Sequence, residues 1–204
     1  DLTGGTAGVS ASGIVSLGTL EVRNSSFTNN TVHGVFVNGK TDGIGKVTVE
    51  NSTFVNNGNG GSNGDGDIVL FEYRGDATIR NVTIDNTTGT ADTGIQIAGF
   101  EQSDYDVIAP IGTVVIDGVA VNGAFAKVGV YIQGYTDLSG LDIAGLSGTV
   151  AAGWGYATYI DPTAGTSPDS LPWLSIAASL KQWICASIGQ APGVFSRNSK
   201  DGPR

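Results

Sequence analysis

The chain has 204 residues, enough to bury one sizeable core, and it is rich in Gly (32) and poor in Pro (6), a balance that calls for many turns without collagen-like or disordered composition. Its net charge of −9 excludes the phosphate backbone of nucleic acid as a partner, because that binding draws on clustered Lys and Arg. A single cysteine, Cys185, excludes an intrachain disulfide framework, and no apolar run reaches the roughly 18 residues of a membrane span.

Taken in chain order, one eight-residue phrase recurs. Val22-Arg23-Asn24-Ser25-Ser26-Phe27-Thr28-Asn29 is matched by Val49-Glu50-Asn51-Ser52-Thr53-Phe54-Val55-Asn56 and then by Ile79-Arg80-Asn81-Val82-Thr83-Ile84-Asp85-Asn86. Ile116-Asp117-Gly118-Val119-Ala120-Val121 keeps the apolar positions with Gly in place of Asn, and Ile143-Ala144-Gly145-Leu146 is the last copy. The Asn or Gly positions are 27, 30, 37 and 27 residues apart. Between the copies lies a second set of β-branched runs: Ile14-Val15, Val35-Phe36-Val37, Ile68-Val69-Leu70, Ile95-Gln96-Ile97, Val130-Tyr131-Ile132 and Tyr156-Ala157-Thr158.

Short strands of this kind cannot each bury a face alone, but stacked at about 4.8 Å they can. The spacing therefore predicts an all-β parallel solenoid over residues 1–166, of about five to six coils. Val22, Val49, Ile79, Ile116 and Ile143 are expected as one inward column, and Phe27, Phe54, Ile84 and Val121 as another. Asn24, Asn51 and Asn81 fall where a left-handed backbone and an inter-coil hydrogen bond suit Asn, and Gly118 and Gly145 meet the same need. Arg23, Glu50, Arg80 and Asp117 alternate in sign and predict an outward ion ladder. The sequons at Asn24, Asn29, Asn51, Asn81 and Asn86 read as by-products of this ladder.

On these phrases the chain resembles the right-handed parallel β-helix superfamily, which includes pectate-lyase-like enzymes, alginate-epimerase-like proteins and bacterial surface passengers. The resemblance implies a right-handed coil and either structural or polysaccharide-directed use. Tyr159-Ile160-Asp161-Pro162 is loosely similar to an epimerase phrase but lacks its Gly and His.

The end of the chain changes period. Trp173, Ile176, Ala177, Leu180, Ile184 and Ile188 keep helical spacing, with Ser170 as N-cap, Pro172 in the first turn and Gly189 at the stop. Residues 167–190 are expected to form an amphipathic helix that caps the solenoid or docks on another subunit through 170–190, with Cys185 as a structural thiol. Residues 191–204 read as an irregular tail. Charge marks the same boundary: residues 1–166 hold 6 Lys and Arg against 17 Asp and Glu, net −11, whereas 167–204 hold 4 against 2, net +2. With no Met in the chain, the solenoid is expected to be part of a longer or processed precursor.

Candidate chemistry gathers in the segments after the second strand set. Glu72, Arg74, Glu101 and Asp104 are candidates for acid, base or charge-neutralising duty toward an anionic sugar polymer. Tyr73, Phe100, Tyr105, Tyr131 and Tyr135 are candidates for stacking on sugar faces. Asn63, Asp65 and Asp67 alternate oxygen-bearing side chains as calcium loops do, so Ca2+ is the cofactor to consider, although no Glu stands at the bidentate position. The alternative for each is a plain polar loop. His33, the only histidine, precedes a turn Gly and has no evident partner. The expected use is an extracellular or cell-surface structural, adhesive or assembly module that contacts polysaccharide, with a lyase, epimerase or hydrolase acting on an acidic polymer as the alternative.

Overall fold

The computed structural model describes residues 2–3, 7–12, 18–38, 45–60, 64–87, 91–98, 112–135, 141–153 and 157–162. Among these residues seventeen strands fall into three parallel sheets visited in rotation. Sheet I holds β1 (Leu2–Thr3), β4 (Ser26–Thr28), β7 (Thr53–Val55), β10 (Thr83–Asn86), β13 (Ala120–Phe125) and β16 (Val150–Ala152). Sheet II holds β2 (Ala7–Ser12), β5 (His33–Asn38), β8 (Gly66–Phe71), β11 (Thr93–Ala98), β14 (Val128–Tyr135) and β17 (Thr158–Pro162). Sheet III holds β3 (Thr19–Arg23), β6 (Lys46–Glu50), β9 (Asp76–Arg80), β12 (Val114–Asp117) and β15 (Leu141–Ala144).

The chain is thus an all-parallel β-solenoid of about four turns. The repeat spacing pointed to about five to six coils; among the described residues sheets I and II hold six strands each and sheet III five. The expected strand at Ile14-Val15, the helix at 167–190 with Cys185, and the tail at 191–204 lie outside the described residues, and no helix occurs among the described ones. No described helix is long and apolar enough to cross a membrane.

Register follows the repeat. Val22 pairs with Val49, Val49 with Ile79, Ile79 with Ile116 and Ile116 with Ile143. Phe27, Phe54, Ile84 and Val121 form the sheet I column. All nine side chains are buried in one contiguous core. Asn24, Asn51 and Asn81 have φ of 52°, 51° and 50°, and Gly118 and Gly145 follow at 61° and 62°, so the sheet III to sheet I corner is left-handed in every coil. Asn24, Asn51, Asn81 and Gly118 each donate the backbone N–H to the coil beyond, as Asn51 N does to Arg80 O at 3.1 Å.

The side chains of this corner point to solvent rather than inward: Asn81 Nδ2 donates to Asn51 Oδ1 at 3.2 Å in an exposed position. Burial therefore does not explain away these sequons, since Asn24, Asn29, Asn51 and Asn81 are exposed and only Asn86 is buried. Arg23 pairs with Glu50 at 2.8 Å and Arg80 with Asp117 at 3.9 Å, as the alternating signs require.

A second, inner run of asparagines occupies the corner between sheets I and II. Asn57 Oδ1 accepts from Asn30 Nδ2 at 2.8 Å and Asn30 N at 3.1 Å. Its Nδ2 donates to Phe27 O at 3.0 Å and Asp67 Oδ1 at 2.9 Å, while Asn30 Nδ2 also reaches Leu2 O at 3.0 Å. These amides are fully buried, so satisfying both ends of each is what makes the corner tolerable.

Candidate carbohydrate-contact face

The site is built on the outer face of sheet II, because alternation along its strands sends one residue in two away from the core. Val35 and Val37, Ile68 and Leu70, Ile95 and Ile97, and Val130 and Ile132 point inward. The residues between these pairs, Phe36, Val69, Gln96 and Tyr131, form an outward column in direct register that Tyr159 of β17 continues. Val69 is buried yet stands outside the contiguous core, as expected for a side chain on the other face.

The column is closed in its middle and open towards its ends. Val69 and Gln96 are 1% and 6% exposed, whereas Tyr159 is 36% exposed and Phe36 and Tyr131 are half-buried. At the N-terminal end the His33 ring stacks on Phe36, centroids 4.5 Å apart and planes 8° apart. Burial lowers the His33 pKa to about 4, against the pull of a hydrogen bond to the Gly66 backbone, and its Nδ1 has no hydrogen-bond partner. A neutral imidazole stacked on Phe36 is a packing element more than a proton shuttle. At the C-terminal end Tyr131 and Tyr159 lie 5.8 Å apart with planes tilted by 32°, giving two adjacent rings at the open end of the column.

The connection from sheet II to sheet III that is described throughout is Glu72–Gly75, between β8 and β9. Glu72 follows β8 with φ of 51°, a left-handed backbone that residues other than Gly, Asn and Asp seldom adopt. Glu72 and Arg74 are both half-buried. Tyr73 is a correction to the expected sugar contacts: its ring is fully buried in the core. Its hydroxyl lies 2.5 Å from Asp76 O and 3.1 Å from Gly45 O, tying the turn to the preceding coil, and burial holds its ionisation well above the usual tyrosine range.

Of the other expected site residues, Phe100, Glu101, Asp104, Tyr105 and Asn63 lie outside the described residues, and Tyr135 is described in its backbone alone. Asp65 and Asp67 are buried, and Asp67 turns its carboxyl toward Asn57 inside the corner. Desolvation raises the Asp67 pKa to about 7, which favours the neutral acid, a poor calcium ligand. Among the described residues no group of three or more His, Cys, Asp or Glu side chains could hold a metal ion.

Sequence reasoning named Tyr131 but missed Phe36, Gln96 and Tyr159 as its column mates, and missed the inner amides Asn30 and Asn57. The signal for the amides was present: Asn29-Asn30 and Asn56-Asn57 repeat at the same interval as Asn24 and Asn51. No protein-family model, curated protein or solved structure matches the chain.

Proposed function

We propose that the chain is a structural or adhesive module of the right-handed, pectate-lyase-like β-helix type, working outside the cell or at its surface and contacting polysaccharide. The observation that carries this reading is the Tyr131–Tyr159 ring pair at the open end of the sheet II column. Two rings on adjacent strands, about 4.8 Å apart along the axis, suit the C–H faces of successive sugar units. The test is binding to an array of neutral and acidic glycans. Tyr131→Ala and Tyr159→Ala are expected each to weaken the selected ligand roughly tenfold, about 1.4 kcal/mol. Unchanged binding in both variants, or no glycan bound at all, defeats the reading.

The second reading, a polysaccharide lyase, epimerase or hydrolase, draws on Glu72, whose left-handed backbone is the sort of strain that gathers at reacting centres, with Arg74 two residues on. Incubation with uronate polymers, with and without calcium, tests it through ultraviolet absorbance of unsaturated ends and through reducing ends. We assign residues 167–190 to a helix that closes the solenoid. Truncation after residue 166 is then expected to lower stability while leaving a monomer a monomer. Loss of an oligomer on truncation would instead assign the segment to docking.

A further inference from the structure

From β2 to β14, the sheet I to sheet II corner carries a column of glycines interrupted at β8 alone. Gly8, Gly34, Gly94 and Gly129 stack at the second position of their strands, bracketed by regular pairs on either side, and the fifth member of the column is Asp67. A Cβ at Gly8 would lie 2.5 Å from Phe27 Cδ1, and one at Gly34 would lie 2.6 Å from Phe54 Cδ1, so the rings of sheet I press directly on the backbone there. The next member of the ring column is Ile84, a smaller side chain, in the coil that follows the stacked pair.

That carboxyl is completely buried. Oδ1 accepts from Asn57 Nδ2 at 2.9 Å, and Oδ2 has no hydrogen-bond partner. Desolvation outweighs the side-chain and backbone hydrogen bonds of Asn57, which favour the charged form. The charged groups around it give no compensation. Asp85 on β10 adds like charge, and Asp65 precedes it in the same turn. β5 brings His33, held neutral by its own burial, and the turn before β11 brings Asp92, whose Oδ2 is engaged by Lys127 Nζ at 2.7 Å. β7 contributes no ionisable side chain. A carboxylate with one unpaired oxygen and no cation is costly in such a place, whereas the neutral acid is tolerated.

We propose that Asp67 is a pH-operated joint of the β7–β9 coil: as a neutral acid it lets β8 close against the Asn57 corner, and on ionisation the cost of burying its charge outweighs the hydrogen bonds from Asn57 and opens the corner so that water reaches the carboxylate. Proton loss is the whole of the chemistry, and the device responds within the range between mildly acidic and neutral surroundings. The sign follows from linkage. The opened carboxyl titrates near the ordinary value of 3.8 and the closed one near 7, so the closed state is favoured below the first value and loses its advantage as pH rises through the second.

Amide hydrogen exchange of β8, corrected for intrinsic rates, tests this in the intact chain against Asp67→Asn, which keeps the shape and the acceptor for Asn57 but cannot ionise. The opening constant of the unaltered chain relative to D67N is expected to rise about tenfold per pH unit between about 4 and about 7 and to level off above. Taking the ratio removes any titration of His33 exposed by the same opening. Parallel profiles for the two proteins overturn the proposal. Should D67N fail to fold, the 13C shift of the Asp67 carboxyl decides: a midpoint near 7 supports the joint, and one near 4 ends it.

Discussion

Phe27 and Phe54 stack with ring centroids 4.7 Å apart and planes 8° apart, and it is this pair that requires glycine at positions 8 and 34. A column of rings inside a narrow solenoid takes its space from the strand it faces. Gly34→Ala would set a Cβ 2.6 Å from Phe54 Cδ1 and 2.7 Å from Asp67 O, and one of these neighbours is backbone. We expect a loss of about 1–3 kcal/mol, read from the denaturant midpoint. Combining it with Phe54→Leu should cost less than the sum of the two single losses, and strict additivity would contradict the packing argument.

The two asparagine corners should respond differently. Asn57→Ala strands the buried amide of Asn30 and one oxygen of Asp67, at a cost of roughly 2–5 kcal/mol. Asn51 is exposed and valued for its backbone, so Asn51→Gly is expected within about 0.5 kcal/mol of the unaltered chain, while Asn51→Ala loses about 1 kcal/mol to left-handed strain. Equal losses at positions 51 and 57 would mean that burial is not what separates these corners.

His33 titrates with the opposite sign to Asp67. Its folded pKa lies near 4, below the ordinary 6.5, so its contribution to stability is present above the ordinary value and is lost as pH falls toward the folded one. In the window between about 4 and 6.5 the two groups therefore oppose each other, and unfolding stability should vary less with pH than either group alone would make it. Replacing His33 by Gln is expected to expose the Asp67 trend: stability that rises steadily on acidification through this window. A flat profile in that variant would count against both assignments.

Tyr73 separates structure from recognition. Tyr73→Phe removes the hydroxyl that lies against Asp76 O and Gly45 O and should cost about 1 kcal/mol in thermal or denaturant unfolding. Because the ring is buried in the core, glycan binding should be unchanged. A fall in binding larger than that of Tyr159→Ala would return Tyr73 to the contact surface.

The solenoid is legible along the chain, since each coil repeats a local pattern: apolar residues at fixed offsets, Asn or Gly where the backbone turns left-handed, and alternating charge at positions 23, 50, 80 and 117. Such features depend on one residue and its equivalent in the next coil, and a single chain shows them as periodicity. What depends on more than one column at once emerges only when the coils are stacked. Tyr73 looks like a surface aromatic in the chain and is a buried tie in the fold, because the hydroxyl finds carbonyls from two coils. Phe36, Gln96, Tyr131 and Tyr159 share a column only once the register of sheet II is known. Asp67 reads as a calcium-loop residue in sequence. In the fold it occupies a glycine column, where desolvation, and not its neighbours along the chain, governs its charge.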